Sequence, residues 1–174
     1  LIVLPVQQAE ALDASGKPVA IKQGMRESLL QQFSSPKGDA PLTLVVNHLK
    51  SKGSACFEDY PDYATADPLD GQGHCNALRV SAAKVLGERL KEVSGDLLLI
   101  GDLNAYGMED PIRVLTDYDP AAQSRQIMSA SFTTLAGQPF EESGSALGKG
   151  YGLVNLNTRF HGTDTYSYSY EGEL

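Results

Sequence analysis

Four consecutive large aliphatics, Leu97-Leu98-Leu99-Ile100, stand between Gly95 and Gly101 and run directly into Asp102-Leu103-Asn104. A short apolar run bounded by glycines reads as a strand buried on both faces, so the rest of the chain has to supply covering layers. Immediately before it lies the best helical pattern in the sequence. Leu78, Ala82, Val85, Leu86, Leu90 and Val93 recur at helical spacing, Asn76 is placed to cap the start, and Ser94-Gly95 ends the run. Upstream, Leu42-Thr43-Leu44-Val45-Val46-Asn47-His48-Leu49 is a clear strand. Arg26 to Phe33 fits a strand carrying Leu29, Leu30 and Phe33, although the Gln31-Gln32 pair leaves a helix open. The polar turn between these two segments predicts an antiparallel hairpin. Strand, long helical crossover and strand together predict an α/β sheet covered by helices on its outer face.

The remaining segments carry weaker signals. Residues 1–6 read as the end of a strand, and Asp13-Ala14-Ser15-Gly16 as a turn. A second helix starts at Glu109-Asp110-Pro111, with Asp110 as cap and Pro111 at the first helical position. Residues 119–150 are rich in Ala, Ser, Gly and Gln and read mostly as loop. Leu153, Leu156 and the alternating Tyr166, Tyr168 and Tyr170 look like strand. At 174 residues the chain is expected to be one domain, spanning 1–174.

Charge and cysteine content narrow the function. With 14 basic and 22 acidic residues the formal charge is −8, which excludes holding a polyanion by overall field and leaves a local basic patch or a bound metal. No 18-residue apolar stretch is present, so no membrane span is expected. Cys56 and Cys75 flank a polar segment containing Asp59, Asp62, Asp67 and Asp70, which cannot form core. A disulfide closing that loop would contribute about 3 kcal/mol and would place the protein outside the cytosol; two free cytosolic thiols are the alternative. His74-Cys75 lacks the second pair that zinc requires.

Two strand ends concentrate the chemistry-bearing residues. Asp102 and Asn104 leave one strand together, a carboxylate that can accept a proton or metal and an amide that can donate hydrogen bonds. Read alone, the aspartate is equally a turn or cap residue. Asn47-His48 ends the other strand, directly before Lys50-Ser51-Lys52. A histidine titrating near neutrality beside lysines that can meet phosphate charge favours phosphoester chemistry.

The ordered series Asn47-His48-Leu49-Lys50-Ser51-Lys52-Gly53-Ser54, Cys56, Asp70-Gly71-Gln72-Gly73, Cys75-Asn76, Arg79, Gly101-Asp102-Leu103-Asn104-Ala105-Tyr106 and Glu109-Asp110-Pro111-Ile112 resembles the secreted bacterial nucleases of the endonuclease/exonuclease/phosphatase superfamily. That is the superfamily of deoxyribonuclease I and the exonuclease III class. The resemblance implies a deoxyribonuclease I-like four-layer α/β sandwich with its active site at one edge. It implies that His48 contacts the phosphate or leaving group, that Asp102 orients or deprotonates the attacking water, and that Asn104 holds that water and a phosphoryl oxygen. Arg26, Asn47 and Lys50 are implied as substrate contacts. The implied cofactor is Mg²⁺, with Ca²⁺ or Mn²⁺ as alternatives, and the implied substrate is nucleic acid, DNA ahead of RNA. The implied location is secreted, extracellular or periplasmic.

The family's metal-binding Glu and its later Asp-His and Ser-Asp-His motifs have no counterpart here, so these residues are expected to be the central fragment of a longer domain. Such a fragment is expected to show little activity by itself, and either to self-associate through open strand edges or to form a compact subset of the fold. A sphingomyelinase or other phosphoesterase of the same superfamily is the nearest alternative. A non-catalytic calcium-binding or adhesion module built on the acidic loop is the alternative from another class.

Overall fold

The pleat of a three-stranded sheet divides this chain into a packed side and an open side. The computed structural model describes residues 7–12, 15–53, 56, 71–130, 133–135, 138–141, 143–163 and 165–168. The described part is mixed α/β. A hairpin pairs β1 (Gln7–Leu12) with β2 (Pro18–Gln23). The central sheet has the order β3 (Leu29–Phe33), β4 (Leu42–His48), β5 (Asp96–Asp102). β3 runs antiparallel to β4 in register Leu29↔Val46, the expected hairpin, and β5 runs parallel to β4 in register His48↔Asp102. α1 (Asn76–Leu90) lies in the crossover between the two parallel strands, and α2 (Asp110–Leu115) follows β5.

Strand side chains alternate between faces, so matched register groups them. Leu30, Val45, Leu97 and Leu99 fall on one face and pack into a core with Leu78, Val85 and Leu86 of α1 and Val114 of α2. On the other face Leu29, Phe33, Val46, Leu98 and Ile100 are exposed. The Leu97–Ile100 strand is therefore not buried on both faces as its composition predicts. Among the described residues the helices cover one side only, and an unbroken aliphatic run cannot report which of its faces has a partner.

α1 is enclosed more fully than an amphipathic pattern implies, with Arg79, Val80, Ser81 and Ala83 at 0% exposure as well as the apolar stripe. The second cover comes from the stretch expected to be loop. The Ala130 N–H reaches the Ala77 carbonyl and the Ser81 hydroxyl, while Ser129 and Ser145, and Ile127 and Leu147, join the segment's two arms. Small Ala and Ser side chains allow this close backbone approach. The same region also forms a short hairpin, β6 (Thr133–Leu135) with β7 (Gln138–Glu141).

Several other expectations are corrected. Cys75, at φ 62°, precedes α1 in place of Asn76, because the Asn76 amide donates to Asp110 Oδ2 instead of capping its own helix. Glu109 occupies the cap position of α2, since the Asp110 carboxylate is taken by Asn76 and Arg125. Leu156 begins α3 (Leu156–His161), where the Asn155 side chain accepts from the Thr158 N–H, and Leu153 lies in no strand. Tyr166 and Tyr168 also lie outside any strand. Residues 1–6, Asp13, Ala14, Tyr170 and the acidic positions 59, 62, 67 and 70 lie outside the described residues.

Cys56 and Cys75 form a disulfide, with a Cα–Cα distance of 5.0 Å and both residues fully buried. The bridge ties the segment after β4 to the start of α1. A Cys56→Ser/Cys75→Ser double variant is expected to lose about 3 kcal/mol, read as a lowered urea midpoint with a steeper slope, because the unlinked chain exposes more surface on unfolding. An unchanged midpoint would show that the loop is held by other means.

Candidate active site

Parallel pairing brings the two strand ends together. His48 and Asp102 are the last residues of β4 and β5, are register partners, and lie on the same face of the sheet. His48 Nε2 lies 3.7 Å from Asp102 Oδ2, with the side chains 45% and 61% exposed. That separation is too long for a direct hydrogen bond, and it is a spacing at which one oxygen can sit about 2.8 Å from both groups.

Asn104 completes the edge. Its backbone N–H donates to Asp102 Oδ1 at 2.9 Å, and its side-chain Nδ2 donates to the Leu49 carbonyl at 3.0 Å. The Leu49 N–H in turn donates to the Asp102 carbonyl at 2.9 Å. Asn104 has φ 46°, a conformation that a short amide side chain tolerates better than most. The three expected catalytic residues thus converge at the carboxyl ends of two adjacent parallel strands, where open sheets place their ligands.

The expected substrate contacts divide. Arg26 is exposed on the segment entering β3, and its neighbour Met25 places its sulfur 2.9 Å from the Lys50 N–H, so Arg26 and Lys50 border the same edge. Asn47 does not join them. The pleat turns it to the packed side, where it is 3% exposed, accepts from the Ser28 hydroxyl at 2.6 Å and donates to the Val45 and Ile100 carbonyls. Asn47 therefore holds β3, β4 and β5 together. Asn47→Ala is expected to cost about 2 kcal/mol through unpaired buried partners, measured by urea unfolding. A stability equal to wild type would show that these buried bonds do not hold the sheet together.

Sequence reasoning missed the cluster beside this edge. Lys52, read as an available positive charge, is paired with Glu109 at 2.5 Å and lies over the Tyr106 ring. Fully buried Arg79 donates to the carbonyls of Lys50, Gln72 and His74, joining the loop after β4 to the approach to α1. Lys52, Arg79, Tyr106 and Glu109 all stand in the family-like series, but nothing in that series says that they meet. Pairing across such distances in the chain carries no local pattern.

Hard oxygen donors at the edge are the Asp102 carboxylate and the Asn104 carbonyl. Such a pair suits Mg²⁺, which is commonly held through one or two protein oxygens, with water and phosphate completing its shell. Among the described residues no group of three or more His, Cys, Asp or Glu side chains is placed to hold a metal ion. Comparison of the chain with protein-family models, curated proteins and solved structures gives no match.

Proposed function

We propose that this chain carries residues of a phosphodiester-hydrolysing site of the deoxyribonuclease I-like kind, acting on nucleic acid, with DNA as the favoured substrate. The observation that carries the reading is the His48–Asp102 register pair at 3.7 Å with Asn104 anchored beside it. In this reading Asp102 orients a water and draws its proton as the oxygen adds to phosphorus. His48 donates to the phosphoryl or leaving oxygen as the P–O ester bond breaks, and that leaving oxygen takes up a proton. Aspartate is a weak base, so orientation and electrostatics supply most of the effect. The Asp102 carboxylate and the Asn104 carbonyl would help to hold a divalent cation, which when bound would neutralise phosphate charge.

Electrostatics support a local rather than a global contact with a polyanion. Arg26 and Lys50 border an edge of a chain whose formal charge is −8. The disulfide fits an oxidising compartment, and no helix among the described residues is long and apolar enough to cross a membrane. Secretion belongs to the same proposal.

The test is cleavage by the full-length protein. Supercoiled plasmid incubated with Mg²⁺, Mn²⁺ or Ca²⁺ is expected to be nicked, and chelation is expected to stop it. Inactivity on DNA and RNA under all three ions, or turnover of sphingomyelin alone, would defeat the nucleic-acid reading.

A further inference from the structure

The loop carrying Asn104 pairs with no strand among the described residues, yet it is fastened to the loop after β4 by groups that the phosphoester chemistry does not use. Lys52 Nζ meets Glu109 Oε1 at 2.5 Å and lies 4.6 Å from the centre of the Tyr106 ring. Glu109 Oε2 accepts the Tyr106 N–H at 3.1 Å, so one carboxylate holds both loops. Glu109 is only 7% exposed. The Lys52 stem is confined from the other side by Gly73, where an added Cβ would come within 2.8 Å of Lys52 Cδ.

The charges around Glu109 come from several elements. Lys52 of the loop after β4 and Arg79 of α1 are attractive. Asp110, the next residue, is matched by Arg125 at 2.6 Å and by the Asn76 amide at 2.8 Å. The Asp110 N–H is taken by Gln72 Oε1.

We propose that Glu109 is a positioning residue for the His48–Asp102–Asn104 edge: as a carboxylate it clamps the Asn104 loop onto the loop that follows His48. The assignment of that edge as catalytic rests on the function proposed above; the clamp itself rests on the contacts just given. A buried ion pair is weak support for overall stability, because desolvation offsets attraction, but it is directional and defines one geometry. Burial pushes the Glu109 carboxyl above its ordinary range, with Lys52, the Tyr106 N–H and Arg79 opposing that rise. The folded chain then takes up this proton at higher pH than the unfolded chain. Stability therefore falls as pH rises from the ordinary glutamate value through the raised one. Ionised Glu109 costs stability while it orders the loop, and that combination separates a clamp from a simple structural contact.

Glu109→Gln keeps the side chain's size but cannot accept from both Lys52 and the Tyr106 N–H. In the full chain this variant is expected to keep a cooperative melting transition with α1 intact. Its Tyr106 backbone amide and Asn104 side-chain amide are expected to lose about ten-fold in hydrogen-exchange protection, with the Val85 amide of α1 unchanged. Wild type is expected to lose the same protection as pH is lowered through the Glu109 titration, and Glu109→Gln to show no such step.

Equal protection in both proteins, or a lowered melting temperature with uniform loss across α1, would overturn the clamp. Plasmid cleavage measured on the same samples separates the two proposals. Loosened loops with an unchanged cleavage rate would overturn the positioning role. A wild-type protein that loosens as expected but cleaves no phosphodiester would defeat the catalytic reading and leave the clamp standing.

Discussion

Asp102→Asn is expected to lower plasmid cleavage by the full-length protein about 10³-fold or more while leaving the fold intact. The substitution is nearly isosteric. Its carbonyl oxygen can still accept the Asn104 N–H, and the side chain is 61% exposed, so no buried partner is orphaned. What disappears is the negative charge facing His48 across 3.7 Å. His48→Ala is expected to act on the same step, so the double variant should be little slower than the worse single variant, as for groups that work as one unit. Initial nicking rates beside a melting curve for each variant make the check. A wild-type rate in Asp102→Asn would remove Asp102 from the chemistry and with it the proposed function.

Gly101→Ala is expected to be the most damaging single methyl in the sheet. Gly101 has φ +123°, which L side chains avoid, and its missing Cβ would lie 2.0 Å from the Asn47 carbonyl oxygen and 2.8 Å from the Asn47 nitrogen. Both atoms belong to the backbone of its own register partner, so relief requires parting β4 from β5. That movement would also disturb the Asn47 bonds to the Ser28 hydroxyl and the Ile100 carbonyl. Strain and clash together amount to roughly 3 kcal/mol or more. For a chain of this size that corresponds to a melting temperature lower by roughly 6–12 °C. A melting temperature within a degree of wild type would show that the strand pair yields at no cost, contrary to a packed ladder.

Both substitutions act at one place, since Gly101 lets β5 approach β4 closely enough for Asp102 to face His48. The catalytic reading and the fold thus share a structural cause, but they fail differently. Gly101→Ala should lose stability and cleavage together, whereas Asp102→Asn should lose cleavage alone.

Much of this arrangement was legible in the residues. Leu42–His48 and the Leu97–Ile100 run announce themselves by length and apolar content, and α1 by its spacing. Helix ends were misplaced by one residue at Asn76 and Asp110, because long-range bonds to each other and to Arg125 drew both side chains away from local capping. The strand expected at Leu156 became a helix capped by Asn155, and small residues between 119 and 150 turned out to cover α1. In each case a local pattern competed with a tertiary partner that the pattern does not encode.

The site divides in the same way. His48, Asp102 and Asn104 could be singled out because their chemistry and strand-end positions are local properties. Local sequence could not tell that Asn47 faces inward while His48 faces outward, since a pleat alternates sides and a shift of one residue would exchange them. Nor could it show that Lys52 is occupied by Glu109.

By itself, then, the sequence determined that two apolar strands separated by a helix would each deliver polar groups at their carboxyl ends, because periodicity and hydrophobic burial act within a few residues. Tertiary structure alone decided the parallel register that sets His48 against Asp102, the open face on which they stand, and the Lys52–Glu109 contact beside them. Those features join residues more than fifty positions apart, and their geometry exists only once the core has packed.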